Sequence, residues 1–438
     1  MFAVDITLIL VQRLWQAGSG LVTMLLIAHF LTPEQQGWYY SFLSLASLYT
    51  LFDLGLSVVL LQVSAHLFVG LRWLPGGGAE GKGLEHFWAL VGRSTRFYVL
   101  LALMFILLVL PSGLLFFGAK SGAAPLPIEQ WLLAWIMLVF ITALNVLVLP
   151  YLAVVEGSGR VQEVYTVRLA QGVFGSLACW LILATGGGLW ATVVVPSMGV
   201  VVALLWLGTK RPAMFQAGLR HAGKELAWRR EIWPLQWRVG LSWMCGYLLT
   251  QIYTPILFSV QGPVVAGQMG FSLTIANMLA LLAQSWITRR IPAMAQAVNK
   301  QDWESMDRLF QRDFIWSIVV FLGGASIICA LHLSLSTTSY GGRLLPFGPF
   351  IGLLGVTLIG HVNSTLAAHL RSFRKEPFVW VTVAGSFVTV VGALWMAGEY
   401  GAGGVVSVML GVQFLFIFPL TFILWSRYNR AWRVESAI

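Results

Sequence analysis

The chain has 438 residues, of which 58% are hydrophobic and only 10% charged, with 20 Trp, 27 Phe and a net charge of +10. Soluble domains carry about 25% charged residues. This composition therefore excludes a soluble enzyme, a disordered tail and a secreted disulfide scaffold, and indicates an integral membrane protein. The positive charge does not point to nucleic acid, because the basic residues lie in short loops between apolar runs. Cys179, Cys245 and Cys329 sit inside those runs as small hydrophobes, without the spacing of a metal site.

A helix needs about 20 mostly apolar residues to cross the hydrocarbon core. Twelve segments qualify in chain order: 9–30, 38–63, 97–118, 131–155, 164–185, 188–208, 236–260, 264–288, 314–336, 344–369, 378–398 and 402–425. The first lacks a small-residue cleavage site and reads as a retained span. Pro150 and Pro196 fall inside segments, where neighbouring helices can satisfy the freed carbonyls. Twelve crossings place all of the 27 Lys and Arg on one side except Lys120 and Arg343. By the positive-inside rule that side is the cytoplasm, and both termini lie there.

Outer connections such as 31–37 and 260–268 leave no room for an external domain. Two cytoplasmic connections are long. Residues 75–83 (PGGGAEGKG) read as a flexible hinge, and the LEHFWALVGRSTRF that follows as a segment lying on the membrane surface. The second, 209–235, is a basic linker rich in Arg and Trp. It divides the chain into a six-helix lobe 1–208 and a second six-helix lobe 236–438. An internal repeat supports that division: Pro33, Gly37 and Ser44 match Pro263, Gly267 and Thr274 at a constant offset of 230. The expected fold class is an all-α polytopic membrane protein of about twelve transmembrane helices.

The stretch RLWQAGSGLVTMLLIAHFLTPEQQGWYYSFLSLASLYTLFDLGLSVVLLQ resembles the start of bacterial polysaccharide-biosynthesis transporters. These are the O-antigen and lipid-linked oligosaccharide flippases of the multidrug/oligosaccharidyl-lipid/polysaccharide (MOP) exporter superfamily. The resemblance rests on Arg13 followed by small residues, LTPEQQG before the second span, DLGL (53–56) near its inner end, and EGSGRVQEV (156–164). It implies a two-lobed, MATE-like fold in the bacterial inner membrane and a polyprenyl-pyrophosphate-linked saccharide as substrate. It also implies polysaccharide-assembly enzymes as partners.

Such a substrate needs cationic groups for its pyrophosphate and amide or aromatic groups for its sugar. Arg13, Arg168 and Arg238, near the starts of the first, fifth and seventh spans, are candidates for a cationic entrance. Asp53 is the one carboxylate well inside a segment, at a depth where Arg13 could pair with it. The alternative is that Arg13 snorkels to the headgroups while Asp53 bonds a neighbouring helix. Arg289 and Arg290 read as membrane anchors. Among the in-span amides Gln251 and Gln284 rank first for sugar contacts, and Gln12, Gln16, Asn145 and Gln171 share the reading of helix glue. His361 with Asn363 is a further pair, since histidine can carry protons near neutral pH.

No GxxxxGK[ST], HExxH or GxSxG sequence is present, so the expectation is a transporter without cofactor or metal rather than an enzyme. Two other functions fit less well. A cation-coupled drug or metabolite exporter would favour more acidic residues in the lobes. A membrane polymerase or ligase would place charged catalytic residues in a substantial outer loop.

Overall fold

The computed structural model describes residues 2–119, 126–220, 228, 232–338, 340–373 and 378–435. The chain forms two compact units, Met1–Tyr247 and Leu248–Ile438. In the first lie α1 (Phe2–Phe30), α2 (Pro33–Ala46), α3 (Tyr49–Asp53), α4 (Leu56–Leu67), α5 (Leu84–Gly118), α6 (Ile128–Gly157), α7 (Val161–Ala184), α8 (Trp190–Lys210) and α9 (Pro212–Arg220). Helix α10 (Trp233–Thr250) leads into the second unit. There follow α11 (Tyr253–Gln261), α12 (Pro263–Thr288), α13 (Ile291–Asn299), α14 (Trp303–Leu335), α15 (Phe347–Arg371), α16 (Val379–Val412) and α17 (Phe418–Glu435). Among the described residues, eight helices are long and apolar enough to cross a membrane, or nine with the bent pair α2–α3 and α4. This is a multi-pass, nearly all-helical protein.

Local chemistry explains where several helices start. Thr32 and Gln35 form a reciprocal capping box: the Thr32 hydroxyl accepts from the Gln35 amide at 3.2 Å, and Gln35 Oε1 accepts from the Thr32 amide at 3.1 Å. Pro33 and Pro263, the matched prolines of the repeat, each open a helix at its first turn. There the missing N–H is one the helix would leave unpaired anyway.

In hydrocarbon, apolar burial no longer drives helices together, so close packing and hydrogen bonds carry association. In the first unit, small residues let large ones in. Gly113 of α5 lies flush against the Trp135 ring of α6. Trp135 belongs to an aromatic cluster with Trp38, Phe42, Phe117 and Trp131, whose ring centroids lie 4.9–6.0 Å apart.

The glycine-rich connection 75–83 is not a hinge but part of a small antiparallel hairpin, Leu71–Trp73 paired with Ala79–Gly81. The turn is closed onto the protein by Arg211, whose side chain lies over the Trp73 ring at 4.3 Å and against Gly77. Only 5% exposed, Arg211 also grips Glu163 with both Nε, at 2.9 Å, and Nη2. Trp206 donates to the same carboxylate at 2.8 Å, and Trp73 donates to Ser158 at 2.9 Å. The following segment does not lie on the membrane surface either. It is the start of α5, with Phe87, Ala89 and Leu90 fully buried against α4 and α6 residues. The apolar count on one helical face is high enough for either outcome, and the packing partner decides it.

The stretch from α16 through α17 is helical by hydrogen bonding yet doubles back. Residues 16 and 32 apart in a continuous helix are about 24 and 48 Å apart. Here a Cβ on Gly392 would lie 2.7 Å from Val408, and one on Gly385 would lie 2.5 Å from Ile417. The reversal is at Gly401 (φ 56°, ψ −142°), a conformation only glycine adopts easily. It leaves carbonyls without helical partners, and Gln261 supplies them: its Nε2 donates to Ala397 at 2.9 Å and Gly398 at 3.0 Å.

Gly401→Val is expected to destabilise the protein by about 1–3 kcal/mol, read as a lower Tm in detergent. Gly246→Ala, with no atom within 4 Å of the added carbon, should leave Tm unchanged or slightly higher. Arg211→Ala should cost about 1–3 kcal/mol, because Glu163 is left half-buried without its cation. Its second signature is faster limited proteolysis within residues 74–83; proteolysis at the wild-type rate would remove Arg211 as the latch.

Candidate functional site

The second expected span is broken at the DLGL sequence. Leu54 and Gly55 are both left-handed (φ 47° and 64°), separating α3 from α4 with a bend of 41°. A left-handed leucine is strained, and persists only where its surroundings fix it. Those surroundings come from α10: a Cβ on Gly240 would lie 2.9 Å from the Leu54 Cβ, and Val239 and Trp243 close over Gly55. Asp53 ends α3 at this break and is 2% exposed. Its Oδ1 accepts from the Tyr98 hydroxyl of α5, and its Oδ2 accepts from Ser57 at 2.9 Å.

The break thus holds a buried carboxylate whose described partners are neutral donors. The structure does not bring Arg13 to it: the Arg13 side chain is exposed and makes no ion pair among the described residues. The backbone of Arg238 lies in α10 beside Val239, but its side chain is outside the described residues. Arg168 pairs with Glu156 at 2.8 Å and lies over the Tyr165 ring at 5.2 Å, so part of its charge is already answered within the unit. Asn145 and Gln171 are pinned to α8, donating to the carbonyls of Pro196 and Gly199 at 2.8 Å each.

In the second unit, Gln251 lies half-buried in the turn between α10 and α11. Gln284 is in α12, and its Oε1 is buried with no partner among the described residues. His361 of α15 meets Ser317 of α14 through Nε2 at 3.0 Å and stacks on Phe321. Asn363 faces another neighbour, donating to Gln413 Oε1 at 3.1 Å. Gln413 opens the π-helical turn Gln413–Ile417 between α16 and α17, and such turns often mark functional positions in a helix. His361 and Asn363 are therefore separate contacts of one helix rather than a joint site.

Asp313 is the residue that hydropathy reading passes over. It lies one position before the ninth expected segment, yet α14 begins at Trp303 and Asp313 is buried inside it at 1% exposure. Arg289 donates to its Oδ1 at 3.2 Å and Arg290 to its Oδ2 at 2.8 Å. Arg289 and Arg290 are thus more than surface anchors. The signal that could have found the cluster is two adjacent arginines and an aspartate at the inner ends of successive spans.

The Asp53 geometry has a direct test by double-mutant cycles on stability. Tyr98→Phe and Asp53→Asn should couple by about 0.5–3 kcal/mol, whereas Arg13→Ala and Asp53→Asn should add to within about 0.5 kcal/mol. Coupling of Arg13 as strong as that of Tyr98 would overturn the arrangement.

No protein family and no curated protein sequence matches the chain. Solved structures of similar fold do. One is an inward-facing conformation of a multidrug resistance MATE family transporter of the MOP superfamily, 12% identical over 96% of both chains, with a TM-score of 0.66. A second is the lipid II flippase MurJ in an inward closed conformation, 13% identical over 98% of this chain and 95% of that one, TM-score 0.60. A third, MATE in the bent conformation, is 16% identical over 97% of this chain and 94% of that one, TM-score 0.55. Along nearly its whole length, the chain has the fold of these MOP superfamily transporters.

Proposed function

We propose that the protein is a flippase. It carries a polyprenyl-pyrophosphate-linked oligosaccharide, an O-antigen or exopolysaccharide unit, from the cytoplasmic to the outer leaflet of the bacterial inner membrane. Two lobes, 1–208 and 236–438, work by alternating access, joined by the basic linker 209–235, with about twelve spans and both termini cytoplasmic. The observation that carries this reading is the full-length likeness to the lipid II flippase fold, joined to the flippase-like motifs of residues 9–65. Of the candidate arginines Arg13 and Arg168, Arg13 is the one exposed and without an ion pair among the described residues, and so suited to meet pyrophosphate. Gln251, Gln284 and Asn363 supply amides for sugar hydroxyls, and Gln284 and Asn363 each keep a buried acceptor without a described partner. Polysaccharide-assembly enzymes are the partners this role calls for.

One observation favours a second reading, cation-coupled export of a drug or metabolite. Asp53 is a buried carboxylate whose described partners, Tyr98 and Ser57, carry no positive charge. Such a group can bind a proton or metal cation in one conformation and release it in another. A membrane polymerase or ligase is disfavoured by outer connections that carry little ionisable chemistry beyond Glu34, Lys120, Glu129, Arg343 and Glu399.

The deciding experiment is the lipid inventory of a deletion strain, with saccharides on each leaflet quantified by a membrane-impermeant label. A flippase predicts completed lipid-linked units trapped on the cytoplasmic side, cleared by the wild-type gene. Completed but unpolymerised units on the outer side would indicate the enzyme reading. An unchanged inventory would favour the exporter.

A further inference from the structure

A staple between two helices needs one cation for one carboxylate, and here there are two. The Asp313 side chain is 2% exposed, and each of its oxygens takes one arginine, so the cluster keeps a net positive charge. Each guanidinium uses one described contact to the carboxylate, out of five N–H donors. The side chains remain 51% exposed at Arg289 and 35% exposed at Arg290.

The backbone beneath them is fixed. Arg289 and Arg290 are the two junction residues between α12 and α13, and their amides donate to Ser285 at 3.3 Å and Ile287 at 2.9 Å. The Arg289 guanidinium also lies 5.0 Å over the Trp286 ring. Helix α13 starts at Ile291 with no side-chain cap, so its positive end adds to the field of the arginines. Two oriented forks, a surplus charge and an uncapped helix start suit a tetrahedral oxyanion with several acceptor oxygens. The positive-inside pattern puts this junction at the cytoplasmic headgroup level.

We propose that Arg289 and Arg290, held by Asp313, form a binding site for the phosphate group of a membrane lipid. Identifying that lipid as the polyprenyl-pyrophosphate carrier rests on the function proposed above; the phosphate chemistry does not.

The test begins with wild-type protein in phosphatidylcholine nanodiscs, treated with an arginine-specific dicarbonyl reagent. Modification of Arg289 and Arg290 is followed by mass spectrometry while polyprenyl diphosphate or phosphatidylglycerol is titrated in. Protection of both residues by the diphosphate at lower concentration than by phosphatidylglycerol supports the site and its link to the flippase. Equal protection by the two lipids supports a phospholipid headgroup site and withdraws that link. No protection by either overturns the proposal without bearing on the flippase reading, which the lipid inventory decides separately.

Binding of polyprenyl diphosphate should weaken about tenfold or more in Arg289→Ala and in Arg290→Ala. Arg289→Lys, which keeps the charge and loses the fork, should fall between. Variants with a lower Tm but wild-type binding would show that the cluster is a staple only.

Discussion

Inside a bilayer every backbone N–H and C=O must find a partner within the protein, because no water is there to take it. Continuous helices meet this demand by themselves, so each departure from helix has to be repaired by something else. At Leu54–Gly55 the repair is steric as well as polar: Gly240 lets α10 approach close enough to hold the left-handed pair. At Gly401 the orphaned carbonyls of Ala397 and Gly398 are satisfied by a side-chain amide from α11. At the π-helical turn starting with Gln413, Asn363 bonds the Gln413 side chain rather than a backbone group. The chemistry-bearing residues gather near these repairs, since breaking a helix both exposes polar groups and requires polar neighbours.

Buried charge obeys the same constraint with higher stakes. An ionisable group in the hydrocarbon region costs a few kcal/mol by insertion scales, and is kept where it pairs or serves a function. Among the described residues each unit buries one aspartate, and the two are handled differently. Asp53 is solvated by two hydroxyls. Asp313 is matched by two guanidinium groups, which leaves a positive surplus at its rim. Removing both arginines would strand a buried anion, whereas removing a hydroxyl loses only a neutral donor.

Much of the helical plan is legible in the amino-acid order because a bilayer imposes length and apolarity on each span. The expected segments fall mainly on helix, although the second is broken at Leu54–Gly55 and the seventh at Gln251–Ile252, and the capping pattern TPEQ marks where α2 begins. What the sequence conceals has more than one cause, the first being partners distant in sequence. PGGGAEGKG has the composition of a hinge, and only Arg211, over 130 residues later, turns it into a docked hairpin. Asp313 was invisible to a window that stops where the hydropathy falls. Asp53 stands out in the sequence as a carboxylate inside a span, but its partners are a tyrosine and a serine, residue types that carry no charge to search for. The break at DLGL has a glycine to announce it, yet the left-handed leucine beside it depends on α10.

The in-span amides show why residue type alone cannot separate structure from function here. Asn145 and Gln171 donate to α8 carbonyls on either side of the turn that Pro196 begins, which fully explains their presence. Gln284 and Asn363 are the same residue types, but each retains a buried acceptor that no described group satisfies. A buried acceptor without a donor is costly in an apolar medium, and Gln284 and Asn363 each carry one among the described residues. That asymmetry orders the amides physically. Those already bonded to backbone hold helices together, and those left open keep a hydrogen-bond acceptor without a partner among the described residues.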